Sequence, residues 1–433
     1  MFPSLSRRHF VQVGAAGLVS VPLLAQEKKA PPSERVRVGV VGLAGQGQYN
    51  WGELAKAGAD VIAICDVDES RTGPARKQFP KADFHTDYRK LIETKGLDAL
   101  LCATPDHNHF HVTSAAIEAG LHVYCEKPLC HTVWETRQLR ELVKKHKRVS
   151  QMGTQIHAGD NYRRVVEMVK AGVIGAVKEA HVWVGGAWNG NGKRPDPKPV
   201  PKGLDWDLWQ GPVVERPYAP EYVPFHWRRY WAYGGGRMAD MACHHMDLVF
   251  WALDLTAPTK VTAQGSPLNP ETAADWITAE YDYPAHGKRS AVKVFWYDGD
   301  KQPKQLAELK QEKWGDGTLF VGEKGMILAN YGRRVVYPED QFKGVDGDKS
   351  IPNSIGHHKE WLEAIRTNGQ TTCNFAYSGG LTEAVLLGVV AYKVGKPLEW
   401  DAATLKCKGV PEADAFITKE YRKGWEPTAS AHK

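Results

Sequence analysis

The sequence predicts a two-domain protein whose first domain is an α/β, doubly wound parallel sheet. Three observations carry this: strand-like runs alternate with helical ones through residues 35–155, a glycine loop follows the first strand, and polar turns close the later strands. Residues 35–42 (RVRVGVVG) form a β-branched run ending in glycine, the pattern of a buried parallel strand. A helix begins near Gly47, and residues 60–65 (DVIAIC) read as the second strand. Residues 84–87 make a short third. Residues 97–103 are an apolar strand closed by TPDHNH (104–109), and a helix follows over 111–119, ended by Gly120. Residues 121–125 are another strand, closed by Glu126-Lys127-Pro128, then a helix over 132–147 and a last strand ending in QMGTQ (151–155). Strands that alternate with helices pair in parallel. Ligands of such sheets sit beyond the carboxyl ends of the strands, where both polar turns fall.

The loop at 42–47 (GLAGQG) matches G-x-G-x-x-G, with Ala44 at the second glycine. Gly42 permits the tight turn and Gly47 lets helix and strand pack closely. Ala44 places a methyl where a pyrophosphate approaches, and Gly45 beside it gives the loop freedom. With Gln46 these residues lead a helix N-terminus toward phosphate. Asp66 ends the second strand at the spacing where an acid accepts ribose hydroxyls. A carboxylate there repels a 2′-phosphate, so the expected cofactor is NAD rather than NADP. The alternative for Asp66 is a helix cap (DVDES).

The chain has 433 residues, 42% hydrophobic and 24% charged, as expected for soluble domains with real cores. A net charge of +6 without a long basic run gives no support to a nucleic-acid partner. Fifteen Trp residues, mostly between 183 and 296, leave two readings open: core aromatics, or faces that stack on sugars. Seven irregularly spaced Cys without a C-x-x-C pair indicate neither a zinc knuckle nor a disulfide framework. The N-terminus, SRRHF at 6–10 followed by an apolar stretch over 11–25, resembles a twin-arginine export signal read through Arg7 and Arg8. That stretch is too short for an ordinary membrane span, and no Cys there suggests a lipid anchor. Residues 26–34 read as a tether. Export of the folded protein to the periplasm is the expectation, and a plain basic arm is the alternative.

The glycine loop, the strand-end acid, T-P-D-H-x-H, E-K-P and a later GGGRMADMACHHMD (234–247) together resemble the Gfo/Idh/MocA oxidoreductases, named for glucose-fructose oxidoreductase and inositol dehydrogenase. The resemblance covers most of residues 35–402. It implies an NAD-binding Rossmann domain (35–155) and an α+β substrate and oligomerisation domain (156–405) with a large open, mainly antiparallel sheet. A tail would follow at 406–433. Strand-like runs at 178–184, 273–283, 290–297 and 319–322 and a long helix over 379–395 are compatible. Residues 185–236, dense in Gly, Pro and Trp, read as an ordered insertion lining the site.

The resemblance makes Lys127 the catalytic lysine. Asp240 and His244, spaced to share a helix face, become the partner or hydroxyl binder and the general base. Thr104, Pro105, His107, His109, Glu126 and Gln155 would border the cofactor, with one histidine of the turn bracing it. Gln151 and Gly153 share the last segment. His157, Arg228, Tyr230, Trp231 and His245 are the expected substrate contacts, with Arg229 beside them. Asp247 is a packing group. His244, His245 and Asp247 could hold a metal, but without a clear further ligand none is expected. His357 and His358 read as a helix start.

The expected reaction is oxidation of a secondary alcohol on a sugar, glycoside or polyol. An exported enzyme cannot release NADH at each turnover, so the cofactor should be tightly held. Either a second substrate reoxidises it, or a transient 3-keto intermediate permits elimination and re-reduction, as in NAD-dependent glycoside hydrolases or lyases. A non-catalytic sugar-binding protein on this scaffold is the other alternative. A homo-oligomer, dimer or tetramer, is implied by the family, with no stable membrane anchor.

Overall fold

The computed structural model describes residues 35–190 and 192–427. The expected export leader and tether lie outside the described residues. In the first domain the β-branched runs become strands and the runs between them helices. The order is β1 (Arg37–Val41), α1 (Gln46–Lys56), β2 (Asp60–Cys65), α2 (Gly73–Gln78), β3 (Asp83–His85), α3 (Tyr88–Ile92), β4 (Ala99–Cys102), α4 (Asp106–Glu118), β5 (His122–Cys125), α5 (Val133–His146) and β6 (Ser150–Met152). The six strands pair in parallel in the order β3-β2-β1-β4-β5-β6. The order reverses direction between β1 and β4, and a ligand crevice opens at that switch point. Val38, Val40, Leu100 and Leu101 are fully buried because helices cover both faces.

One boundary differs instructively. The helix expected from 111 begins at Asp106, because Pro105 adopts an extended conformation at the N-cap and TPDHNH is the helix's own first turn. Helix α5 starts where expected, with a reciprocal capping box between Thr132 and Glu135.

The second domain follows as α6 (Asp160–Lys170), β7 (Val177–Val184), α7 (Trp206–Gln210), α8 (Gly236–Leu253), β8 (Lys260–Gly265), β9 (Ile277–Tyr283), β10 (Val292–Tyr297), α9 (Gln305–Glu308), β11 (Asp316–Gly322), β12 (Met326–Ala329) and β13 (Arg334–Tyr337). It closes with α10 (His357–Thr367), α11 (Phe375–Val394), β14 (Leu398–Asp401), β15 (Lys406–Lys408) and α12 (Asp414–Ile417). Its nine-stranded sheet runs β13-β12-β11-β7-β10-β9-β8-β14-β15, antiparallel except for the β7–β10 pair. Strand β9 alternates buried and half-buried residues, as one covered face requires. Helices α8 and α11 pack together, and both reach the sheet. Helix α11 is long and apolar enough to cross a membrane, but 83% of its apolar window is buried as a core helix. It begins at Phe375, ahead of the expected 379, because the Asn374 side chain accepts from the N–H groups of Ala376 and Tyr377.

The insertion at 185–236 has its own aromatic core of Trp206, Trp209, Tyr218, Tyr222, Trp227, Tyr230 and Tyr233. Trp206 and Trp209 stack with centroids 4.8 Å apart. Most of its tryptophans are therefore core, and Trp188 alone among them stays half-buried. The insertion is fastened to the first domain. Glu69 N donates to Gly203 O (2.8 Å) and Asp205 N to Val67 O (2.9 Å). Residues 406–427, read from sequence as a tail, carry β15 and α12 and then cross to the first domain. Arg422 pairs with Asp207 of the insertion and its N–H donates to Pro212 O, while His111 Nε2 of the first domain meets Trp425 O at 2.8 Å.

Candidate active site

A cleft lies over the carboxyl ends of β1, β2, β4 and β5. Its floor is Gly42, Leu43, Ala44, Gly45, Gln46, Asp66, Thr104, Pro105, His109, Glu126 and Lys127, and its roof is Leu204, Leu208, Trp209, Phe225, Trp227 and Arg228 of the insertion. The glycine loop fits a dinucleotide. A Cβ on Gly47 would fall 2.0 Å from Gly42 O, and one on Gly42, at φ +87°, would fall 2.5 Å from Ala103 O. Gly45 is the N-cap of α1, which has no side-chain cap and no acid in its first turn, so its positive end is left for phosphate. At the far end Asp66 accepts from the N–H of Leu43 (2.8 Å) and of Asp68 (3.0 Å). Burial still pushes its carboxyl above the ordinary value.

At the other end three chain segments meet on Asp240. Lys127 Nζ donates to Asp240 Oδ1 (2.7 Å) and to its backbone carbonyl (2.8 Å). Arg228 Nε donates to Oδ1 (3.0 Å) and Trp188 Nε1 to Oδ2 (2.8 Å). Burial alone would raise this carboxyl, but the charges of Lys127 and Arg228 hold it well below the carboxylate range. Arg228 is itself clasped, with its Cζ 4.1 Å from the Trp227 ring centre and 4.7 Å from that of Phe225.

His244 shares the α8 face with Asp240 but does not hydrogen-bond to it. Burial and the nearby Lys127 charge push its imidazole well below the ordinary value. His245 is turned away, its Nε2 3.0 Å from Tyr331 Oη, and burial lowers it to about 3.

The structure distributes the other expected residues unevenly. His109 borders the cleft and ties its two turns together, through Pro128 O (2.7 Å) and Thr104 O (2.8 Å). His107 does not line the cleft. It lies beneath the insertion, 2.8 Å from Trp209 O, and burial pushes it down to about 3. Glu126 gathers Asn50 (2.8 Å) and Gln155 (2.8 Å), which makes Gln155 a brace for the E-K-P turn. His157 points its Nδ1 at Asp247 (2.9 Å), stacks on Trp251 and borders a separate cavity. Tyr230 and Trp231 are buried away from the cleft, with Trp231 donating to Asn269 O. His357 and His358 are buried at the start of α10, as a helix opening. Two clusters of potential metal ligands occur among the described residues, Cys102–His109–Cys125 and His157–Asp247–Cys373, and neither includes His244 or His245. Sequence reasoning missed Trp188, Phe225 and Trp227. Only the density of aromatics in the insertion hinted at them.

A 3-2-1-4-5-6 sheet with this loop and strand-end acid defines a Rossmann dinucleotide-binding protein. Residues 36–154 match the model of an oxidoreductase family's NAD-binding Rossmann fold, and residues 163–427 that family's C-terminal alpha/beta domain. The chain belongs to the Gfo/Idh/MocA oxidoreductase family, and its cofactor is NAD.

Curated relatives include inositol 2-dehydrogenase 1 of Saccharopolyspora erythraea, 37% identical over 144 residues, which are 32% of this chain and 43% of that protein. The inositol 2-dehydrogenase/D-chiro-inositol 3-dehydrogenase of Lactiplantibacillus plantarum is 29% identical over 143 residues, 32% and 41% of the two chains. The chain thus spans less than half the length of these relatives. Among solved structures, the WlbA dehydrogenase from Bordetella pertussis in complex with NADH and UDP-GlcNAcA superposes with a TM-score of 0.61 at 17% identity, over 85% of this chain and 99% of that one. Levoglucosan dehydrogenase with NADH and levoglucosan gives 0.58 at 17%, over 84% and 99%. These two likenesses establish the shared fold.

Proposed function

We propose that the protein oxidises a secondary hydroxyl of a sugar, glycoside or polyol, with an NAD that stays bound between turnovers. The observation that carries this reading is the ion pair of Lys127 with Asp240 at the end of the cleft, with His244 one helical turn beyond Asp240 on α8. Bound NAD⁺ supplies the hydride acceptor at C4 of its nicotinamide. Lys127 has three N–H donors. Two are directed at Asp240, and the third is left for a substrate oxygen. Asp240 holds the ammonium in place; the two side chains are only 11% and 8% exposed. His244 is neutral at neutral pH, because its protonated form is disfavoured by burial and by Lys127. It accepts the hydroxyl proton as the hydride leaves the same carbon, while Lys127 stabilises the oxyanion that develops.

The pinned roof over the cleft supports a resident cofactor. If the cofactor stays bound, the chemistry it would supply must run in both directions at this site, with a second carbonyl substrate or the ketone product taking the hydride back. The second route makes the net reaction redox-neutral: the transient ketone acidifies the neighbouring C–H, that proton and a glycosidic substituent leave by elimination, water adds to the resulting double bond, and the ketone is then reduced back. The Arg7–Arg8 leader accords with export of the protein after folding and cofactor loading. A homo-oligomer built on the open sheet remains part of this proposal.

The test is to release the nucleotide carried by the purified full chain and identify it by mass spectrometry. NAD(H) in near-equal amount to protein is the expected result. Protein that carries none, and binds none when NAD is added, overturns the reading.

A further inference from the structure

Resting on that reading, we propose that Arg237 is the docking point for an anionic substituent of the substrate, a carboxylate as on a uronic acid, so that the preferred substrate is an acidic saccharide. Arg237 sits in the first turn of α8, one turn ahead of Asp240. Its Cζ lies 4.9 Å from the Trp188 ring centre, and Trp188 donates to Asp240. One aromatic ring therefore separates the guanidinium from the Lys127–Asp240 pair.

The guanidinium is held but not neutralised. Nη2 donates to Gly185 O, and Nε is buried with no acceptor. No carboxylate among the described residues forms an ion pair with it. The acids that feel its charge are Asp298 and Asp316. Asp298 is buried and already accepts from Ile277 N (2.6 Å) and Trp296 Nε1 (3.1 Å). A buried donor without a partner is costly and rare in native folds. A planar fork fixed by a carbonyl and an aromatic face is pre-shaped for bidentate carboxylate recognition.

Two further features point to the same ligand charge. Helix α8 is 18 residues long, and its N-cap, Gly235, offers no side chain; no acid sits in the first turn, so the helix's positive end stands uncompensated beside Arg237. Lys127 and Arg228 already share Asp240, while Arg237, on the other side of the Trp188 ring, has no ion-pair partner among the described residues. A neutral sugar would leave the Arg237 guanidinium without a counter-charge, whereas one carboxylate on the sugar supplies it.

The test compares sugars that differ only in that group. The NAD-loaded full chain is titrated calorimetrically with glucose against glucuronate and with galactose against galacturonate, for wild type, R237Q and R237K, and thermal melting checks that each variant is folded. A charge-assisted contact predicts a uronate preference on the order of tenfold or more, which weakens with added salt, persists in part in R237K and disappears in R237Q. Equal affinities in each pair, no uronate binding, or a preference that R237Q leaves unchanged overturns the proposal. Arg237-dependent uronate binding without hydride transfer would leave the anion site standing and remove the oxidoreductase reading instead.

Discussion

The two ends of the cleft each hold a carboxylate, half-buried at Asp66 and buried at Asp240, and they are built by opposite means. Asp66 is met by backbone N–H groups of the adjacent loop, and burial dominates, so its acidity is weakened. Asp240 is met by Lys127, Arg228 and Trp188, side chains from three separate stretches of chain, and their charge outweighs burial. The nucleotide end is thus a property of one local motif. The chemical end exists only once the insertion and α8 have docked on the first domain. Substitutions should therefore separate binding from turnover according to the end they touch.

The largest separation is expected from Lys127→Ala. Removing the positioned donor should lower kcat by on the order of a thousandfold while NAD still binds, as read by single-turnover hydride transfer and nucleotide titration. Full turnover in that variant would refute the role given to Lys127. Next comes Gly47→Ala at the opposite end. Its methyl would fall 2.0 Å from Gly42 O, so NAD affinity should drop about a hundredfold or more, an energy of order 3 kcal/mol, by equilibrium titration. Retained affinity would mean that the loop does not carry the pyrophosphate.

A smaller effect is expected from Trp188→Phe, which removes one hydrogen bond to the ionised Asp240 and should reduce kcat about tenfold with little change in NAD binding. The comparison is sharpened if the loss appears in KM instead, since that would make Trp188 a substrate wall rather than a support for Asp240.

The mildest test uses pH. His107 and His245 are lowered to about 3 and His244 well below its ordinary value, all chiefly by burial. Their unfolded forms take up protons below about pH 6.5 while the folded forms do not. Below that pH the unfolded state binds more protons, so stability must fall as the pH drops from about 6.5 toward the folded values. Denaturant titrations across pH 7 to 5 should show this decline, and His107→Asn should flatten it by about one proton's worth. An unchanged slope would place a charge on the folded His107.

The nucleotide end was legible in the sequence because its determinants are contiguous. Gly42, Gly47 and Asp66 act through backbone geometry and strand periodicity, which spacing encodes. Lys127 and Asp240 were each singled out only through family resemblance, and their pairing with each other was not legible, since no local pattern joins residues so far apart. Trp188, Phe225 and Trp227 were not legible. A tryptophan that stacks in an interior, such as Trp206, and one that donates to a buried carboxylate, such as Trp188, look alike in one dimension. His107 and His109 are two residues apart in one turn, yet one holds down the insertion while the other joins the two catalytic turns. The helical phase that separates them became fixed only when α4 began at Asp106.

The roof is tied down by a segment far along the chain: Arg422 pairs with Asp207 of the insertion, and Trp425 O meets His111 of α4. On a ribosome the glycine loop emerges well before this segment. At ordinary elongation rates, synthesis of the intervening chain takes on the order of tens of seconds. During that interval the nucleotide site is open to the cytosolic pool with nothing to seal it. Under the proposed retention of the cofactor, its capture belongs to the protein's biogenesis rather than to its catalytic cycle.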